Sequence, residues 1–211
     1  MDPTIKKNTV NWRVSELVKR FELRRVGRGM FELGKETLYN PALTDRLKDI
    51  GNYIRDRFPF AEFCIWDSAF LNEFAQHLIV NSFLLIDVER DVAESVYNKL
   101  KEEHKFVFYP RNTIGIEDLL PDFDDPILVR PLISESPIAK VNGIPTVTIE
   151  KLLADIYCDP EFKFLQGSEL LAIYRNVFAR YTVNKTKLYR YAGRKGKKSE
   201  IKDFIEKLKF S

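Results

Sequence analysis

Carboxylates, histidines and cysteines pose the first question, because they are the side chains that could cut a bond or hold a metal. Asp67, Asp87 and Glu89 fall at the C-terminal ends of two apolar runs, AEFCIW and FLLIDV, that read as buried strands. Carboxylates gathered at strand ends could hold Mg²⁺ through hard oxygen ligands and activate water for phosphodiester cleavage. A site of that kind usually carries a lysine two residues beyond its second acid, whereas here Glu89 leads into Arg90 and Asp91. Asp67 also has a structural role open to it, as the N-cap of a following helix. Convergence of the three carboxylates therefore decides the nuclease reading. His77 and His104 lie near expected helix ends with no GxSxG or cysteine motif beside them. Cys64 and Cys158 sit far apart among apolar neighbours, as buried thiols do, with no CxxC spacing for a metal. Neither GxxxxGK[ST] nor GxGxxG occurs. The expectation is a non-enzyme with no catalytic residue, no cofactor and no metal.

A second chemistry, phosphate binding, is better represented. The formal charge of +3 hides a segregation: residues 1–35 carry 9 Lys/Arg against 4 Asp/Glu and residues 168–211 carry 12 against 4, leaving the middle at −10. Basic ends around an acidic centre suit a polyanion or an acidic partner at the ends. In RRVGRGMFEL, Arg24, Arg25 and Arg28 surround a bend at Gly27 and Gly29, which places guanidinium groups together for phosphate oxygens or a narrow minor groove. In the tail, Lys187, Arg190, Arg194 and Lys195 interleave with Tyr181, Tyr189 and Tyr191. Aromatic rings with cations suit single-stranded nucleic acid, but at helical spacing Leu188, Tyr191 and Ala192 share one face and are more simply core. A basic face that meets DNA phosphates or an acidic protein is the preferred version.

The elements that must position these groups follow from periodicity. Trp12, Val14, Leu17, Val18 and Phe21 recur at helical spacing, so a helix is expected from Asn11 or Ser15 to about residue 21, preceded by at most one turn. Two short strands, 23–26 and 29–33, complete a hairpin, which is how a winged-helix module presents a recognition helix and a wing. A linker spans 34–41. Beyond it come a helix over 44–58 capped by Thr44, a strand 61–66, a helix 69–76, a strand 83–88, a helix 90–104 and a strand 105–109. An acidic, proline-bounded excursion at 116–125 precedes a strand 127–132, a short run 139–141 and a turn at 142–145. Helices over 149–157, 168–181, 184–192 and 199–210 close the chain, the first capped by Thr148.

With these residues in view, three segments resemble AbiEi-type antitoxins, the transcriptional regulators of type IV toxin–antitoxin systems that act in abortive infection and phage defence. WRVSELVKRFELRRVGRGMFEL resembles the end of their N-terminal winged helix, with its RxGRGxYxL wing. VNGIPTVTIEKLLADI is similar to their GIPVTSPERTLLDL segment, and NKTKLYRYAGRKG to a late LxxYAxRxG helix. The resemblance implies a DNA-binding autoregulator that acts on the promoter of its own operon and opposes a nucleotidyltransferase-type toxin without enzymatic activity. It assigns Arg24, Arg25, Arg28 and Gly29 to the wing, and Arg13, Ser15, Glu16, Lys19 and Arg20 to the recognition helix. The chain departs from the pattern at its N-terminus, where the supporting helices of a full helix-turn-helix are not expected, and at Thr146 to Ile149, where the motif arginine is absent.

The fold class expected is mixed α/β. It comprises a minimal winged-helix remnant over 1–35, an α/β domain over 41–165 and a helical segment over 166–211 packed on that domain. Nucleic-acid contacts are assigned to Arg13, Ser15, Lys19, Arg20, Arg24, Arg25, Arg28, Gly29, Lys187, Arg190, Arg194 and Lys195. DNA and the toxin are the expected partners, a homodimer is one form for such a regulator, and no run is apolar enough for a membrane or a signal, so the expected compartment is the cytoplasm. A protein-interaction module that neutralises a toxin without touching DNA is the alternative, and the metal-dependent nuclease the third.

Overall fold

In the computed structural model, residues 7–19, 23–27, 29–33, 38–109 and 120–208 are described. Half of the linker expected over 34–41, residues 34–37, and the start of the acidic excursion, 116–119, lie outside them. Helix α1 (Lys7–Lys19) leads to an antiparallel hairpin of β1 (Leu23–Gly27) and β2 (Met30–Leu33). The helix begins four residues earlier than periodicity gave. The ladder slips between Arg25 and Gly27, and Gly29 turns the chain at φ +74°, a conformation that favours glycine.

The centre is a four-stranded mixed sheet built around α2 (Asp45–Arg57), β3 (Phe63–Asp67), β4 (Leu84–Val88), α3 (Ala93–Glu103), β5 (Val107–Phe108) and β6 (Ile127–Pro131), in strand order β3-β4-β6-β5. β3 runs antiparallel to β4, while β4 and β5 run parallel to β6. Apart from Asp87 and Arg130, the inner strands are apolar on both faces because helices cover both. Side chains alternate across the sheet: Phe63, Ile65, Leu84, Ile86, Val88, Ile127 and Val129 meet α2 and α3. Cys64, Trp66, Leu85 and Leu128 point the other way, into the larger core.

That second face is covered by the chain after a hairpin of β7 (Ile138–Val141) and β8 (Ile144–Val147): helices α4 (Ile149–Cys158), α5 (Ser168–Arg180), α6 (Lys185–Arg194) and α7 (Lys198–Lys207). Thr148 accepts a hydrogen bond from the Lys151 amide at 3.3 Å and Asn184 one from the Lys187 amide at 3.1 Å, so polar side chains cap the N-termini of α4 and α6. Trp66 stacks on Phe162 with ring centroids 5.4 Å apart, locking the sheet to the segment that follows α4.

Three local expectations change. The helix expected over 69–76 is a 3-10 segment, Ser68–Glu73. The strand expected over 105–109 narrows to the two residues of β5, which pair with β6. The turn expected over 142–145 closes on two residues, since Asn142 at φ +50° and Gly143 at φ +80° make the tight bend that hairpins favour, which frees Ile144 and Pro145 to enter β8. Among the described residues no helix is long and apolar enough to cross a membrane.

Candidate functional site

The sheet register brings three chemically distinct side chains into one row. Cys64 lies beside Asp87 across β3 and β4, and Asp87 beside Arg130 across β4 and β6. Over this row α4 lays Lys151 and Asp155, one helical turn apart and each 0% exposed. From α6 and the turn after it come Tyr191 and Lys195, and from the segment that follows α4 come Asp159, its C-cap, and Glu161, in the 3-10 turns Pro160–Leu165. Arg130 Nε donates to Asp87 Oδ1 at 2.8 Å and its Nη1 to Asp159 Oδ2 at 2.9 Å. Lys151 Nζ lies 2.5 Å from Asp155 Oδ2 and 2.6 Å from Asp87 Oδ2, the second an ion pair without hydrogen-bond alignment. Lys195 Nζ reaches Asp155 Oδ1 at 2.7 Å and Asp159 Oδ1 at 2.6 Å, and the Tyr191 hydroxyl donates to Asp155 Oδ1 at 3.0 Å while accepting from Lys151 Nζ.

Burial and pairing fix the charge states here. Burial pushes the Asp155 carboxyl upward, and Lys151, Lys195 and Arg130 more than reverse this, leaving it well below the carboxylate range. Asp87 is likewise held low, with burial overcome by Arg130 and Lys151. Burial would strip the proton from Lys151, but Asp155 and Asp87 keep it bound well above the usual lysine range. Asp159 goes the other way, raised by burial and by the neighbouring Asp155. Burial also raises the Cys64 thiol, and takes Cys158 to about 12. Arg130, Lys151 and Lys195 join Asp87 on the sheet to Asp155 and Asp159, so the arrangement forms an ionic clasp between the sheet, α4 and α6.

The three carboxylates weighed for a metal do not meet. Asp87 belongs to the clasp. Asp67 pairs in register with Leu84, at the opposite end of β4, and its carboxylate accepts from the Ala69 amide at 2.7 Å, as a cap does. Glu89 is exposed beyond β4. Antiparallel pairing of β3 and β4 is the reason, because it sends their C-terminal ends in opposite directions. No group of three His, Cys, Asp or Glu placed for a metal occurs among the described residues. His77 is exposed and lies 2.7 Å from Glu169 through Nδ1, and His104 is the C-cap of α3.

The basic residues divide. Arg13 and Ser15 are exposed on α1, and Glu16 is half-buried. Lys19 ends α1, Arg24 and Arg25 stand in β1 opposite Glu32 and Phe31, and Gly29 is exposed in the turn. Arg20 and Arg28 lie outside the described residues. Lys187 is exposed on α6. Arg190 and Arg194 are at the surface too, but both pair with Glu135, Arg190 through Nε at 3.0 Å. Lys195 is a correction: its side chain is only 5% exposed and is spent on Asp155 and Asp159, so it cannot face a phosphate. Leu188, Tyr191 and Ala192 are core, as their helical spacing implies. Tyr191 is buried in the clasp, and Tyr181 packs edge-on against Tyr39 and Phe74 while its hydroxyl donates to Glu73.

Sequence reasoning left Arg130, Lys151, Asp155, Asp159 and Glu161 unassigned. The signal was present: Lys151 and Asp155 interrupt the apolar face of α4 at a spacing of four, and Lys195 continues the inward series of Leu188, Tyr191 and Ala192 at that same spacing.

The profile of a family of unknown function, DUF6577, matches residues 9–211, and the chain belongs to that family. A comparison with curated proteins returned no match.

Proposed function

We propose that this chain is a DNA-binding autoregulator and antitoxin, without enzymatic activity of its own, that opposes a partner nucleotidyltransferase toxin in the cytoplasm. The observation that carries the reading is the passage of α1 directly into an arginine-bearing antiparallel hairpin, the order in which a winged-helix module offers its recognition helix and wing. Supporting it, β1 runs close beside α6, the helix that carries the exposed Lys187. The clasp fits a scaffold, since Lys195 and the Tyr191 hydroxyl tie α6 to α4 and, through Lys151 and Arg130, to the sheet.

Binding of this kind rests on phosphate neutralisation. Affinity for the protein's own promoter should fall with salt at a log–log slope of about −0.9 per phosphate contacted, measured by fluorescence anisotropy between low and physiological ionic strength. A slope near zero would remove the electrostatic basis of the reading.

A second reading, a toxin-neutralising interaction module with no DNA contact, is favoured by the pairing of Arg190 and Arg194 with Glu135, which competes with phosphate for both guanidinium groups. Co-purification of a nucleotidyltransferase by a chain that shifts no promoter fragment distinguishes it from the first.

A further inference from the structure

The clasp holds more negative than positive side chains: Asp87, Asp155, Asp159 and Glu161 against Arg130, Lys151 and Lys195, one carboxylate in excess. The excess is localised. Glu161 is 6% exposed, and its Oε2 has no hydrogen-bond partner among the described residues, with Arg130 Nη1 standing 3.5 Å away. Beside it opens a cleft of about 200 Å³, lined by Glu161, Asp159, Arg130 and Lys195 on the polar side and by Pro131, Ile133 and Pro160 on the apolar side. A buried carboxylate oxygen with no donor is unfavourable until a donor arrives, and an added positive charge would also balance the cluster.

The geometry points to a binding site for a primary alkylammonium group, its N–H donors on Glu161 Oε2 and its hydrocarbon against Pro131, Ile133 and Pro160. An anion is disfavoured by the surplus carboxylate. A metal ion is disfavoured because the carboxylates nearest the cleft already hold lysine and arginine, so a set of free oxygen ligands is not offered. The alkylammonium can come from a free amine or from a lysine side chain of another protein, and the two share this chemistry.

A proton is the natural competitor. Glu161 and Asp159 face Arg130 and Asp87 from the sheet, Asp155 from α4, and Lys195 and Tyr191 from the α6 end. Burial and Asp155 raise Asp159, so acidification supplies the missing positive charge as a bound proton and weakens amine binding.

The test uses n-butylammonium chloride as probe at matched ionic strength, with thermal unfolding and isothermal titration as readouts. The parent chain should show a saturable rise in its unfolding midpoint that 1-butanol, which lacks the charge, and tetramethylammonium, which lacks N–H donors, do not reproduce. Glu161→Gln should weaken the amine at least tenfold, and Glu161→Asp should retain part of the affinity. Ile133→Trp, which fills the apolar wall without touching the ions, should block the probe and decides the matter if Glu161→Gln does not fold. Nα-acetyl-lysine N-methylamide binding as well as n-butylammonium assigns the site to a protein lysine, and its exclusion while n-butylammonium binds assigns it to a free amine. No saturable effect in the parent, or unchanged affinity in Glu161→Gln or Ile133→Trp, overturns the proposal.

Discussion

Lys151 is the residue on which the buried ions depend. Removing it leaves Asp87 and Asp155 facing each other in the interior with one fewer cation, and breaking a buried pair on one side typically costs about 3–5 kcal/mol. Lys151→Met should therefore lose roughly that much stability in urea unfolding, while Lys151→Met combined with Asp155→Leu should recover a large part of it. Equal losses in single and double variants would mean that the pairing is not what matters. The sign of the acid response follows from the same groups. Asp87 and Asp155 are held below their ordinary value of 3.8, so their contribution is complete above that pH and is lost as pH falls through their lower folded values. Acid titration of the unfolding free energy should show this fall in the parent and a smaller one in the double variant. Lys195 and Lys187 offer a further contrast. Lys195→Ala should destabilise the chain, whereas Lys187→Ala should change stability by no more than about 0.5 kcal/mol, since an exposed surface side chain contributes little.

Helices and strands show where sequence patterning suffices and where it does not. α2 was legible almost to the residue, because Leu47, Ile50 and Ile54 keep helical spacing and Thr44 caps it by accepting from the Leu47 amide at 3.3 Å. β3, β4 and β6 were legible as apolar runs. What the pattern did not carry was their relative direction, and direction decided the fate of Asp67, Asp87 and Glu89: antiparallel pairing separated the first from the other two. Lys151 and Asp155 were overlooked for a related reason, since charges on a helix are ordinarily placed on its solvated face and only the fold reveals that α4 is buried all round. Close approach of elements also leaves a mark at Gly51 on α2, where an added Cβ would stand 2.9 Å from Ile144 Cγ2 on β8. Gly51→Ala should therefore cost about 1–3 kcal/mol despite alanine's better helix propensity, measured by chemical unfolding. Pairing it with Ile144→Val should restore part of the loss, and no change in either variant would contradict the tight contact.

Across the whole molecule, charge and architecture divide the labour. The acidic middle of the sequence supplies the sheet and the helices of one face, and the basic C-terminal part supplies helices of the other, with β1 lying close to α6. Segregation of charge was visible in composition; the pairing of Arg190 and Arg194 with Glu135, which tempers the basic face, was not, because Glu135 lies 55 and 59 positions away in sequence. The central claim, that the helix and hairpin at the N-terminus engage DNA, is most directly tested by electrophoretic mobility shift on the protein's own promoter, comparing the parent with Arg24→Ala/Arg25→Ala/Arg28→Ala. The account predicts a salt-sensitive shift for the parent that the triple variant loses while its unfolding midpoint is unchanged. A triple variant that shifts the promoter as well as the parent does would contradict it.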